Sequence, residues 1–287
     1  MALISISDMT SRLVYYLTDD YWDQMGDPRT HDLPFVSGGI WQILTVMTGY
    51  LLVTRKLLPV FMANRSAYDM RRPMFIYNIV MVAANAYLFV EAVGACELGR
   101  VFLNFKYPDQ TDRSVGTMRF LSIEWLFWMT RFLDLLDTVF FVLRKKDSQI
   151  TFLHLYHHTV VPILCWLCLK VNPKAPIVLL FGICNTLIHV IMYTYYGLAS
   201  FGPAIQRYLW WKKYITVAQI IQFAICGTYG VVLYFMQTGY PMSWFVVAVG
   251  QNPLFFFLFY DFYRQTYRQK KRQIIIEKKQ HSKSHTN

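Results

Sequence analysis

Long apolar stretches, separated by short polar and basic segments, fill the chain from about residue 35 to residue 262. Seven of them approach the roughly 20 residues that an α-helix needs to cross the hydrocarbon core of a bilayer. They predict spanning helices over 35–54, 74–95, 120–143, 151–169, 175–198, 210–235 and 242–262. Residues 8 to 27 mix Leu13, Val14, Tyr15, Tyr16, Leu17, Tyr21 and Trp22 with five acids. That stretch is too polar to span and suits a short helix lying in the interface. No linker divides the chain. A single domain over 1–287 is expected, with an N-terminal part over 1–34, a seven-helix core over 35–262 and a basic tail over 263–287.

Composition sharpens this picture. The 287 residues are 55% hydrophobic, 17% aromatic and 16% charged, which excludes an ordinary soluble domain and points to an all-α, polytopic membrane protein. The first thirty residues lack a basic leader followed by an apolar run, so no cleaved signal peptide is expected and the first spanning helix must direct insertion. A formal charge of +11 would suggest nucleic acid in a soluble protein. Here most basic residues lie between apolar segments, which favours a membrane surface or a phosphate ligand and argues against nucleic acid.

The basic residues also orient the chain. Alternate loops and the tail hold 19 of the 28 Lys and Arg, in groups around Arg55 to Arg72, Arg144 to Lys146, Arg207 to Lys213 and Arg264 to Lys283. The opposite loops hold 7, from Arg12 to Lys174, so the C-terminus is expected in the cytoplasm and the N-terminus on the other side. Asn64-Arg65-Ser66 matches the N-glycosylation pattern but falls in the first cytoplasmic loop. It should stay unmodified, and glycosidase treatment of protein made in eukaryotic cells should leave its gel mobility unchanged. By the same logic Cys96 and Cys226 lie toward the lumen and are candidates for a disulfide, whereas Cys165-x-x-Cys168 reads as two small hydrophobes.

Candidate chemistry concentrates in His154-Leu155-Tyr156-His157-His158, with His189 in the next apolar segment. At helical spacing, positions i, i+3 and i+4 share one face, so His154, His157 and His158 project together. Ionisable groups inside a bilayer are costly and usually functional, although hydrogen-bonded core histidines would show the same pattern. The 120–143 segment adds Glu124, Arg131, Asp134, Asp137 and Thr138. These fit either an ion-pair network that pins helices or carboxylates that accept a histidine N–H and fix its tautomer. Asn185, His189, Met192, Tyr193 and Tyr196 form one stripe of the following helix, and Gln219 and Gln222 one of the next. Together the stripes suggest a polar chamber inside a helical ring, capped at the cytoplasmic mouth by Arg144, Lys145, Lys146 and Gln149.

Four of the seven histidines are too few for a di-iron centre, although a single zinc site remains open. Without metal, neutral imidazoles suit nucleophilic and general acid/base work, and an imidazole can take an activated acyl group as an acyl-imidazole. The other open readings are a seven-helix transporter or receptor with a histidine proton relay, and a His-box membrane metalloenzyme.

His154-Leu155-Tyr156-His157-His158 resembles the His-x-x-His-His box of the very-long-chain fatty acid elongases, the ELO family. The likeness extends from Asp19-Asp20-Tyr21-Trp22 through Leu143-Arg144-Lys145-Lys146 and Asn185-Thr186-Leu187-Ile188-His189-Val190-Ile191-Met192-Tyr193 to Gln219-Ile220-Ile221-Gln222. One box departs: the family shows Lys-x-x-Glu-x-x-Asp-Thr where this chain has Arg131-Phe132-Leu133-Asp134-Leu135-Leu136-Asp137-Thr138. Arg is not a neutral stand-in for Lys, which favours Asp137 and Thr138 over Arg131 and Asp134 as carriers of a family role.

The resemblance implies an endoplasmic reticulum enzyme in which six of seven helices surround a closed acyl tunnel. It would condense a long-chain acyl-CoA with malonyl-CoA to a 3-oxoacyl-CoA two carbons longer, without cofactor or metal. His157 would be the nucleophile, with His158, His154 and Asp137 assisting and His189 serving the malonyl half-reaction. Arg131, Asp134, Thr138, Asn185, Met192, Tyr193, Gln219 and Gln222 would line the substrate path. Arg144, Lys146, Gln149 and Arg264 would meet CoA at the mouth. Expected partners are membrane lipid, a second copy of the chain, and the reductase and dehydratase of the cycle.

Overall fold

A computed structural model describes residue 15 and residues 18–269; the first half of the expected interfacial helix and most of the basic tail lie outside them. The described residues contain no strand, only one isolated bridge between Lys106 and Thr238. The helices are α1 (Asp19–Met25), α2 (Trp41–Leu52), α3 (Leu58–Met62), α4 (Arg71–Ala95), α5 (Val115–Leu133), α6 (Leu136–Leu143), α7 (Phe152–Val171), α8 (Pro176–Ala199), α9 (Pro203–Gln206), α10 (Lys212–Met236), α11 (Met242–Ala248) and α12 (Gln251–Tyr263).

Among the described residues six helical stretches are long and apolar enough to cross a membrane: Trp41–Met62, Arg71–Ala95, Phe152–Val171, Pro176–Ala199, Lys212–Met236 and Trp244–Tyr267. The chain is a multi-pass membrane protein. Apolar side chains such as Val60, Ile76, Val90 and Phe257 remain exposed on these helices, as lipid-facing residues must be.

Three expectations about the spans need correction. The first helix starts later and ends later than 35–54. It continues because a π turn over Val53–Leu57, in which the Leu58 N–H reaches the Val53 carbonyl, widens the spiral ahead of Pro59. Arg55 and Lys56 therefore sit on the helix and not in a loop. The 120–143 stretch is two helices: between α5 and α6 the Leu135, Asp137 and Thr138 N–H groups bond three residues back, a tightened turn that re-aims the polar side chains following it. The 242–262 stretch is likewise divided, α11 from α12, at Val249–Gly250.

Gly230 serves close packing. A Cβ at Gly230 would meet Val249 Cγ1 at 2.5 Å, so its absence lets the α11–α12 joint press against α10. The expected Cys96–Cys226 disulfide is absent: all five cysteines are free, and Cys226 is buried beside Cys184, with which it shares a hydrogen bond.

The core is aromatic and sits where the helices converge. Trp128 and Trp166 pack with Val36, Ile43, Met47 and Leu169, joining α2, α5 and α7. Phe223, Phe255 and Phe259 join α10 to α12 over Val161. At the end of α7 the polypeptide before α2 folds back across the bundle. The Asp27 N–H donates to the Lys170 carbonyl at 2.6 Å, and Arg29 forms a buried two-point pair with Asp27 while donating to the Asp109 and Asp112 carbonyls. The Thr117 hydroxyl, the Ser114 N–H and Lys174 hold the half-buried Asp112 carboxyl well below the usual carboxylate range. Whatever stability this contributes is present above the unfolded pKa and is lost as pH falls through the folded one.

Candidate functional site

Thr151 starts α7 by accepting the His154 N–H at 3.2 Å, which fixes the helical register of the histidine box in its first two turns. Pro162 one turn beyond lacks the N–H that would bond the His158 carbonyl. Its own carbonyl accepts the Trp128 indole N–H at 2.9 Å, tying α7 to α5.

The three box histidines form one aromatic group. The His154 and His158 ring centroids are 4.2 Å apart and those of His157 and His158 5.4 Å. His154 Nε2 lies 2.7 Å from the Thr138 hydroxyl, which in turn lies 2.6 Å from the Tyr50 hydroxyl. His158 Nδ1 is buried and has no partner among the described residues. The rings of Phe255 and Phe259 flank His157 at 5.8 and 6.1 Å.

His157 lines a cavity walled by Phe127, Trp128, Val161, Leu164, Phe181 and Phe223. From His157 the wall follows α7 to Leu169, twelve residues on, or about 18 Å of helix. The cavity is apolar, with Glu124, Gln251 and Asn252 as its other polar side chains besides three cysteines.

A second polar group sits beside the histidines, centred on the fully buried Arg131. Its guanidinium donates to Asn185 Oδ1 at 3.0 Å, to Asn85 Oδ1 at 3.2 Å and to the Thr130 hydroxyl at 2.8 Å. It also approaches the His189 ring nitrogens at 3.2 Å and pairs with Asp134 at 3.1 Å. The Tyr193 hydroxyl donates to Asp134 at 2.6 Å and to Asp137 at 3.1 Å, and the Tyr77 hydroxyl lies 3.2 Å from it. Removing that hydroxyl leaves two buried carboxylates short of a donor. Tyr193→Phe is expected to destabilise the protein by about 1–3 kcal/mol, read as a lower Tm in detergent, while Tyr193→Trp should cost more.

The structure thus brings His154, His157, His158, His189, Arg131, Asp134, Asp137, Thr138, Asn185 and Tyr193 together. Two details differ from the sequence reading. No described carboxylate bonds His154, His157, His158 or His189: Asp134 is 3.9 Å from His189, and Asp137 is engaged by Tyr193. The group that orients His154 is the Thr138 hydroxyl, because the tight turn between α5 and α6 swings Thr138 toward α7. Arg131 and Asp134, the residues that depart from the family box, form the centre of the network and not its edge.

The remaining candidates are scattered. Gln222 is buried with Nε2 unpartnered, Gln219 and Met192 are half-buried, and none of the three lines the cavity. Lys146, Gln149 and Arg264 are exposed at one end of the bundle, and Arg144 there contacts Met74 Sδ at 3.4 Å. Sequence reasoning missed Asn85, Thr130, Tyr50 and Tyr77. Asn85 carried a signal, since a buried amide in an apolar span needs a partner.

Comparison with known proteins gives the same direction. Residues 35–274 match the family model described as ELO: GNS1/SUR4 family. A very long chain fatty acid elongase of Aedes aegypti is 37% identical over 255 residues, covering 88% of this chain and 70% of that protein. Very long chain fatty acid elongase 7 of Rattus norvegicus is 34% identical, covering 92% and 93%. Very long chain fatty acid elongase 1 of Homo sapiens is 35% identical, covering 86% and 88%.

Proposed function

The chain belongs to the ELO (GNS1/SUR4) family, and from that premise we propose that it is an enzyme of very-long-chain fatty acid elongation that condenses acyl-CoA with malonyl-CoA. The observation that carries the reading is the position of His157, an imidazole at the wall of an apolar cavity. Such a cavity suits an alkyl chain, and the imidazole beside it suits an acyl group.

In the first half-reaction a neutral His157 nitrogen attacks the acyl-CoA carbonyl. The C–S bond breaks, CoA leaves as the thiol after taking up the proton released from the imidazole, and the acyl chain stays on His157. His154, held by Thr138, and His158 orient that ring and move the proton. In the second half-reaction malonyl-CoA loses CO2, and the electron pair of the broken C–C bond becomes an enolate beside His189. The enolate carbon attacks the acyl-imidazole, the C–N bond breaks, His157 is regenerated by protonation, and a 3-oxoacyl-CoA two carbons longer departs. One proton is consumed overall, and the products are 3-oxoacyl-CoA, CoA and CO2.

Arg131 presents fixed positive charge where the enolate develops, with Asn185 and Asn85 holding the guanidinium. Arg144, Lys146, Gln149 and Arg264 supply a basic, hydrogen-bonding mouth for CoA phosphates. Counting α5 and α6 as one broken span gives seven crossings, with six around the acyl tunnel. The positive loops face the cytoplasm, where CoA esters are available, and the membrane is that of the endoplasmic reticulum. No cofactor or metal is required. A second copy of the chain and the enzymes that reduce and dehydrate the 3-oxoacyl product are its expected partners.

Purified protein given a long-chain acyl-CoA and carboxyl-labelled malonyl-CoA, with chelator present, should release labelled CO2 in step with 3-oxoacyl-CoA. A preparation that binds acyl-CoA but releases neither product would contradict the assignment.

A further inference from the structure

Glu124 plays no part in the steps above, yet it is the one acid on the cavity wall. It is 8% exposed and makes no hydrogen bond or ion pair with the described residues. It packs beside Gly182, where an added Cβ would sit 4.0 Å from Oε1. Thr117 and Trp128, on either side of Glu124 in α5, meet Lys174 and the Pro162 carbonyl, which sets it level with the turn of α7 that carries Cys165 and Cys168, and both thiols line the same cavity. Besides His157, the cysteines, Gln251 and Asn252, the rest of that wall is apolar. A carboxyl in such a place has lost most of its hydration, so a ligand that brings a hydrogen-bonding group to that depth gains an interaction a plain hydrocarbon does not.

We infer that Glu124 is a specificity-determining residue that selects acyl chains carrying a hydroxyl at mid-length. The inference rests on the elongation reading, which puts the acyl carbonyl at His157. Cys165 and Cys168 are eight and eleven residues beyond His157 on α7, or about 12 to 16 Å along the helix axis. Carbon–carbon bonds of about 1.52 Å at angles near 111° advance an extended chain by about 1.25 Å per carbon. The carboxyl therefore meets the chain about ten to thirteen carbons from the thioester. A hydroxyl there both donates to and accepts from a carboxyl. Methylene groups at the same depth leave it unpaired, and a hydroxyl near either end of the chain misses it.

The test compares three CoA esters of one length, octadecanoyl-CoA, 12-hydroxyoctadecanoyl-CoA and 18-hydroxyoctadecanoyl-CoA, by kcat/KM for condensation and by the rise in Tm each produces. The wild-type protein should favour the 12-hydroxy ester over the other two by roughly five- to tenfold, the effect of one buried hydrogen bond. Glu124→Gln should retain most of that preference. Glu124→Leu should abolish it, bringing the ratio to one or below. A wild-type ratio at or below one, as expected if water already satisfies the carboxyl, would overturn the inference, as would a preference that survives in Glu124→Leu. If none of the esters were elongated, the elongation reading would fail. The Tm comparison would still judge the site, equal shifts from the three esters removing it.

Discussion

Replacing His157 by alanine is expected to reduce condensation by at least about 10⁴-fold, because both half-reactions pass through its ring and no neighbouring group replaces a lost nucleophile. Acyl-CoA should still bind, since the cavity wall beyond residue 157 is unchanged. Loss of the ring between Phe255 and Phe259 also removes packing, and Tm should fall with it. The informative pair of measurements is therefore CO2 release and Tm on one preparation. A folded Ala variant with near-normal CO2 release would remove His157 from the chemistry. His154→Ala should be milder, by about 10²- to 10³-fold, since it takes away the Thr138-anchored neighbour and leaves the attacking ring.

Arg131→Met carries the second large expectation, this time on stability. Arg131 is the only cation that contacts the buried Asp134 among the described residues, and it also satisfies Asn85, Asn185 and Thr130. Removing one partner of a buried ion pair leaves the other charge uncompensated, at a cost of about 3–5 kcal/mol. The variant should show a Tm lowered by several degrees and no condensation, measured by thermal unfolding in detergent and by product release. Arg131→Lys should recover part of the stability, because the charge remains. It should recover less of the activity, because an ammonium point charge cannot hold two amides and His189 with a planar fork. A fully active Met variant would show that the network is dispensable scaffolding.

The sequence disclosed the parts whose signal is periodic. Three histidines on one helical turn and a stripe through Asn185, His189 and Tyr193 follow from 3.6-residue repetition, and the structure sets both stripes facing the same interior. Local deviations from that repetition were hidden. The tight turn after Leu133 leaves no mark in an apolar run. Even so, it decides that Thr138, and no carboxylate, meets His154. The π turn ahead of Pro59 likewise prolongs a helix that a proline and two basic residues seemed to close. Long-range pairing was hidden too: nothing near Asn85 in the chain announces Arg131, and nothing near Cys226 announces Cys184. Glu124 was legible as an expensive residue. Its place on the cavity wall, away from the ion-pair network, depends on the packing of α5 against α7 and α8.

The most direct test of the account is intact-protein and peptide mass spectrometry after a single turnover with acyl-CoA alone. The account predicts a mass increase of one acyl group, mapped to the peptide containing His157, discharged by hydroxylamine or malonyl-CoA and absent in His157→Ala. Condensation that proceeds at full rate with no such adduct, or with the acyl group on another residue, would contradict it.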